Sequence, residues 1–333
     1  MIPIGEPYKP TGRFDVSATV FATVTGLFAA AVVAALIWGW EISGLPTLLL
    51  ITSLIQGLAI GAALMWLFRR ARLRNTKVAA LLAAACALFS VALVDYGHYL
   101  WFLRDMEPMV ARELDAEHGK ISAERRSELL ARVHADPARA ADALVLEPKT
   151  HHHGFLGFMM LRASVGESIS SHGSSGTPIT GWACWGLWIL EAGFVVGTAV
   201  GLTHAQAKKP FCEDCGRWFG EPVRAMYVPV ARAQELVAAV TSCDPAKVAP
   251  LHGMVNLSPG SADARIYSCP DCAARLADVI SRMPTNKKAD QVRPLMPAIS
   301  ISPELEVALR TPPPKQRATA EPAAATAAPP GQP

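Results

Sequence analysis

Two stretches without a single Asp, Glu, Lys or Arg dominate the front of this chain. Residues 16–40 are 25 uncharged positions and residues 42–68 another 27, separated by Glu41 alone. An α-helix rises 1.5 Å per residue and needs about 20 apolar residues to cross the hydrocarbon core of a bilayer. Either stretch is long enough, and a backbone in lipid must satisfy its own hydrogen bonds, which a helix does. The first stretch is too long for the apolar centre of a cleaved signal peptide, and it ends in WGWE rather than at a small-residue cleavage site. Composition agrees: 51% of the 333 residues are hydrophobic and 18% charged, against about 25% charged in a soluble domain.

The sequence therefore predicts an all-α transmembrane four-helix bundle, with spans at about 17–40, 46–68, 78–100 and 181–203. Residues 1–16 precede the first span, 104–180 form a long helical loop between the third and fourth, 207–285 form a second domain, and 286–333 are an Ala/Pro-rich tail expected to be disordered. Orientation follows the basic residues of short loops. The loop after span two, RRARLRNTK, carries five cations, and EISGLP before it carries none. Lys9 and Arg13 before span one and Lys208 and Lys209 after span four fall on the same side. This places both termini in the cytoplasm, makes the plasma or inner membrane the expected location, and puts residues 104–180 outside. Trp38, Trp40, Trp101, Trp182 and Trp185 then lie near the outer helix ends, as interfacial tryptophans do.

Polar residues inside spans are costly and mark either packing or function. Gln56 and Glu191 each lie ten residues into a predicted span, at similar depth. Small-residue stripes follow them, Gly57-xxx-Gly61 in span two and Gly193-xxx-Gly197-xxx-Gly201 in span four. Such stripes favour close helix approach, within one chain or between copies in a homo-oligomer. Spans two and four are expected to touch, bringing Gln56 near Glu191. The functional reading of Glu191 is a proton- or ion-handling carboxylate; the plainer one is a neutral carboxyl making one interhelical hydrogen bond. Asp95 and His98, one turn apart near the outer end of span three, read as a proton-relay or metal-holding pair or as an interfacial anchor. Cys86 and Cys184 read as packed apolar residues.

In the outer loop, Leu114, Ile121, Leu129, Leu130 and Val133 supply a weak helical apolar face, and Pro137 suits the first turn of a new helix. His151, His152 and His153 are consecutive, so at most two can face one ion; a metal site there needs His118, His134 or His172 as well. The following GFLGFMML is too short to span and is expected at the membrane surface or on the helix tops.

The strongest chemical signal follows span four: Cys212-Glu213-Asp214-Cys215-Gly216, then Cys269-Pro270-Asp271-Cys272. Two CxxC pairs offer four thiolates at the spacing that a tetrahedral Zn²⁺ takes. In a reducing cytoplasm paired CxxC means metal rather than disulfide. The second pair runs into AARLADVISR, which reads as a helix whose dipole would favour thiolate. PVARAQELVAAVTS (229–242) reads as a helix, and KVAPLHGMVNL and ARIYS as short strands. With its four cysteines, Gly216 and a terminal helix, the stretch of about 210–283 resembles zinc-ribbon or treble-clef domains, implying a small α+β cytosolic module. Iron held by the same thiolates is the lesser alternative. Cys243 and His252 are spare ligands.

Four thiolates close the metal shell, so zinc here reads as structural, not catalytic. The sequence shows no nucleophile–base pair and no phosphate-binding glycine loop. The expected function is a membrane-anchored scaffold or regulator whose zinc module binds a cytoplasmic protein, with Arg217, Trp218, Phe219, Arg224 and Arg232 as candidate surface, Trp218 and Phe219 reading equally well as core of the module. The alternatives are a proton- or ion-coupled transport protein centred on Glu191 and a membrane metalloenzyme using the outer histidines. A net charge of +3 gives no strong nucleic-acid signal.

Overall fold

The computed structural model describes residues 3–9, 12, 15–43, 49–116, 122–168, 178–252, 260–284 and 290–311. His118, Ile121, His172 and the residues after Thr311 lie outside them, as do residues 253–257 of the expected KVAPLHGMVNL strand. The chain divides into two compact units, one of residues 11–208 and one of residues 1–10 together with 209–333.

The first unit is helical. Its four long helices are α1 (Val16–Ile42), α2 (Leu49–Arg70), α3 (Thr76–Arg104) and, later in the chain, α9 (Trp182–Ala207). All four are long and apolar enough to cross a membrane. Asp15 caps α1 by accepting from the backbone N–H groups of Ser17 and Ala18, and Asn75 caps α3 by accepting from those of Lys77 and Val78, the role for which short polar side chains are suited.

Side-chain size is sorted opposite to the pattern of a water-soluble bundle. Ala22, Ala30, Ala79, Ala83 and Ala199 are buried, while Phe21, Phe28, Leu81 and Ile189 are each about 70% exposed (68%, 70%, 71% and 70%). Small residues inside allow close backbone approach, and large apolar residues outside suit lipid. The expected contact between the second and fourth helices is present. A Cβ on Gly57 would lie 2.8 Å from the Val195 carbonyl oxygen, and one on Gly61 3.1 Å from the Ala199 Cα. The four-residue step matches on both helices, so α2 and α9 run parallel. Gly193, Gly197 and Gly201, expected in the same seam, have open space around their Cα atoms. The seam uses Val195 and Ala199 of α9 instead, a different face of that helix.

Between α3 and α9 come α4 (Met106–Ala116), α5 (Ala123–Ala135), α6 (Pro137–Ala141), a π-turn (Asp142–Leu146), α7 (Glu147–Thr150), α8 (Gly154–Val165) and two paired antiparallel strands of two residues each, β1 (Glu167–Ser168) and β2 (Pro178–Ile179). Pro137 occupies the first turn of α6 behind an Asp136 cap, as its fixed φ predicts. Val133 is buried, whereas Leu114, Leu129 and Leu130 are only half-buried. Helix α8 is the GFLGFMML run, and its Phe158 and Met159 pack with Tyr99, Met106 and Leu146 at the end of α3.

The second unit is α+β. A short hairpin joins β3 (Phe211–Cys212) to β4 (Arg217–Trp218), and a four-stranded antiparallel sheet follows in the order β5 (Val223–Pro229), β6 (Ser261–Ser268), β7 (Arg275–Met283), β8 (Gln291–Ser300). Helices α10 (Ala233–Thr241), α11 (Pro245–Val248) and α12 (Pro303–Arg310) cover one face. Leu236, Val240, Val248, Leu305 and Leu309 there meet Val228, Ala264, Ile266, Val279 and Ile299 of the strands. On the opposite face Arg265 stands directly across from Asp278 and donates two hydrogen bonds to it, at 2.9 and 2.5 Å.

Three expectations for this unit are corrected. AARLADVISR is strand β7, not a helix. Leu276 through Ser281 are all buried, because β7 is an inner strand covered on both faces, and such a run lacks the alternation that would separate it from a helix. Residues 247–251 of the expected KVAPLHGMVNL strand lie in α11 and a 3₁₀ turn, started by the Asp244 cap and Pro245. The ordered domain runs past residue 285 through β8 and α12, so the expected tail at 286–333 begins too early. The 229–242 helix and the ARIYS strand are present as α10 and β6.

Residues 3–9 belong to this second unit. Gly5 and Tyr8 donate backbone hydrogen bonds to Ser300 and Ala298, both at 2.8 Å, and Ser300 donates back to Glu6 at 3.1 Å. The segment thus lies along β8, with Pro7 bridging Ile299. The unit is assembled from chain lying before α1 and after α9.

Candidate functional site

Two clusters collect the residues that the sequence singles out, one in each unit. In the α+β unit the sulfurs of Cys212, Cys215, Cys269 and Cys272 all lie within 4.8 Å of one another. Each pair sits in a hairpin turn. Cys212 and Cys215 flank the β3–β4 turn, closed by Gly216 donating to the Cys212 carbonyl at 2.9 Å. Gly216 has φ +65°, a conformation costly for any residue with a Cβ. Cys269 and Cys272 form the β6–β7 turn, closed by Cys269 donating to the Ala274 carbonyl at 3.1 Å. Neither pair opens a helix, so the expected helix dipole plays no part.

The geometry fits a four-coordinate metal. Zinc–sulfur bonds of about 2.3 Å in a tetrahedron require sulfurs about 3.8 Å apart, and Cys212 Sγ and Cys272 Sγ are 3.7 Å apart. All four cysteines are free thiols, and no sulfur pair within this cluster is at the disulfide length of about 2.05 Å. Burial pushes the Cys212 thiol above its usual value. The Ala274 backbone N–H, 3.5 Å from Cys272 Sγ, holds that thiol below its usual value by stabilising the thiolate. Hydrogen bonding to Cys272 pushes Cys215 up. A metal would release the protons so held.

Residues that sequence reasoning missed brace the cluster. Arg275 donates to the Cys272 and Ala274 carbonyls at 3.1 and 3.0 Å and, through Nε, to Glu306 of α12 at 3.1 Å. The Tyr8 hydroxyl accepts from the Phe211 N–H at 3.1 Å, next to Cys212. Arg217 pairs with Asp271 at 3.0 Å, linking the two turns. Only the position of Arg275, three residues past the last cysteine, hinted at such a role. Of the candidate surface residues, Phe219 is buried beside the cysteines and Trp218 packs edge-on against Phe211. Arg217 and Arg224 are exposed, and Arg232 pairs with Glu235. Cys243 and His252 lie outside the cluster; His252 Nε2 contacts the Ala308 carbonyl at 2.6 Å.

In the helical unit Gln56, Asp95, His98 and Glu191, distant in sequence, line one cavity of ≈ 80 Å³. At roughly 30 Å³ per water it has room for two or three. Asp95 and His98 do not pair with each other. Asp95 accepts from Arg162 of α8 at 3.0 Å, and His98 Nε2 meets Glu41 of α1 at 2.6 Å. Arg162 also lies over the Trp188 ring, 5.2 Å from its centre. Gln56 donates to Ser90 of α3 at 2.9 Å and shares the cavity wall with Glu191. Glu41 and Arg162 were not anticipated: Glu41 reads as a mere break between spans, and Arg162 lies in a loop whose fold the sequence leaves open.

Cys86 and Cys184 are buried among the helices. His134 pairs with Glu107 at 3.1 Å, and His151, His152 and His153 are exposed at the α7–α8 turn. Among the described residues, the four cysteines are the one group of three or more metal-ligating side chains close enough to share an ion.

The fold and these clusters define an apolar four-helix bundle carrying an α+β module centred on four cysteines. Comparison with protein-family models, curated proteins and solved structures finds no match.

Proposed function

We propose that this chain is an integral membrane protein whose cytoplasmic module is built around one structural zinc and presents that module to a cytoplasmic protein partner. The convergence of four thiols within 4.8 Å of each other carries the reading. A shell of four sulfurs leaves no position for water or substrate, so the metal organises the chain rather than reacting. The residues tied to the centre support an organising role: the β3–β4 hairpin, the β6–β7 turn, Tyr8 from the N-terminal segment and α12 through Arg275 and Glu306 all converge there. The basic RRARLRNTK loop supports a cytoplasmic placement for both termini and the module. The thiol-rich set favours zinc, with iron the alternative that the same ligands would accept.

The test is affinity capture from detergent-solubilised native membranes. Wild-type protein should bring down a cytoplasmic protein in fixed ratio, and Cys212→Ser with Cys269→Ser should lose it while the helical unit stays folded. Equal capture by both would overturn the reading.

A further inference from the structure

Helices α5 and α6 and the π-turn after them enclose a groove of ≈ 440 Å³, inside the range of roughly 300–1,000 Å³ that ligand sites occupy. Its walls are apolar: Leu129 comes from α5, Ala140 from α6, and Ala143 and Leu144 from the π-turn. A π-turn takes its hydrogen bonds one residue further along than an α-helix, and such single turns recur at functional sites. In this segment Ala141 and Leu146 are buried with Tyr99 of α3 and Phe158 of α8, while Leu144 stays 44% exposed in the groove.

Three charged side chains stand around these walls, Arg132, Asp136 and Arg139. The Asp136 carboxylate caps α6 by accepting from the Arg139 backbone N–H at 3.0 Å. Arg132 pairs with Glu128, which also accepts from Arg125. The Arg139 guanidinium meets no acceptor among the described residues. Two guanidiniums thus face one carboxylate across the groove, an excess of one positive charge. A guanidinium takes a carboxylate through two parallel hydrogen bonds.

The groove belongs to the helical segment packed on the end of α3, between two helices long and apolar enough to cross a membrane. At the facing ends of those helices Trp101 and Trp182 are exposed, as tryptophans at a lipid–water boundary are. An occupant arriving from that boundary has to match apolar walls and one cation together. At about 30 Å³ for each water-sized group the groove holds about fifteen non-hydrogen atoms, one acyl chain and not two. We propose that this groove binds a long-chain fatty acid, its chain against Leu129 and Leu144 and its carboxylate on Arg139. The site rests on the proposed function only for the placement of the helical unit in a membrane, and no residue of the metal module enters it.

The experiment is photolabelling of the full-length protein in nanodiscs of zwitterionic phosphatidylcholine. The probe is a palmitate analogue with a diazirine near the end of its chain, and adducts are mapped by mass spectrometry of peptides. Saturable adducts should appear within residues 123–146, and unlabelled palmitate should displace the probe. Hexadecanol, which has the chain without the charge, and acetate, which has the charge without the chain, should each compete at least about tenfold less well. Arg139→Gln should weaken palmitate competition by about three- to tenfold, and Ala143→Trp, which fills the groove, should remove the adducts. Probe dissolved in the bilayer should label outward-facing Phe28 and Leu81 without saturating. Absence of that background would count against the membrane placement, and the saturable adducts would still decide the groove. No saturable adducts within 123–146, or displacement by hexadecanol or acetate as effective as by palmitate, would overturn the proposal. The competitor comparison uses wild-type protein and decides even where a variant fails to fold.

Discussion

The α2–α9 seam can be probed with one methyl group. In Gly57→Ala the new Cβ would stand 2.8 Å from the Val195 carbonyl oxygen and 3.0 Å from both the Val195 Cα and the Thr198 Cβ. Comfortable carbon contacts are 3.5–4.0 Å, so the shortfall is roughly 0.5–1 Å, and two of the three obstructing atoms are backbone. The helices must part, which costs about 1–3 kcal/mol. Alanine returns about 1 kcal/mol of helix propensity, leaving a net loss of up to about 2 kcal/mol. Gly197→Ala meets nothing within 4 Å and collects only the favourable part. The two variants should therefore differ by about 1–3 kcal/mol. In a unit of this size that separates their melting temperatures by roughly 2–12 °C, Gly57→Ala being the lower. Thermal unfolding in one detergent, followed by tryptophan fluorescence, measures the difference. Equal shifts, or the reverse order, would refute the packing argument.

Further expectations follow from single hydrogen bonds. Ser90→Ala removes the acceptor of the buried Gln56 amide; water in the adjoining cavity can replace it, so the loss should be about 1 kcal/mol, read as a fall of roughly 2–4 °C in Tm. Tyr8→Phe removes the hydroxyl to which the Phe211 N–H beside Cys212 donates, and metal release to a chelator should be faster than in wild type. Burial first, and then the charge of Asp278 beside it, push the Tyr267 phenol well above the usual tyrosine range. In an ultraviolet alkaline titration Tyr267→Phe should therefore remove a late-titrating phenol, and Asp278→Asn should move that same component to lower pH.

Much of the bundle was legible because bilayer thickness and helix rise fix span length, and charges are absent from the right intervals. The α2–α9 contact was also readable from Gly57 and Gly61. The face that α9 presents was not: its glycine stripe is a better small-residue motif than Val195 and Ala199, yet shape across two helices decides the seam. The four metal-ligating candidates followed from CxxC spacing, since each pair needs only a local turn. Strand β7 escaped because burial on both faces erases its alternation, and its pairing of Asp278 with Arg265 is a contact across a hairpin. The N-terminal segment beside β8 is more distant still, joining residues nearly three hundred positions apart. The cavity shows both sides of the matter. Asp95, His98, Gln56 and Glu191 were conspicuous as polar residues in apolar runs, but only the fold supplies Glu41 and Arg162 as their counterparts.

The central claim is that four cysteines hold one structural metal. Elemental analysis of the full-length protein purified without added metal tests it most directly. The wild type should contain one zinc per chain, and Cys212→Ser with Cys272→Ser should contain none. A wild-type chain without bound metal, or a variant that keeps it in full, would contradict the account.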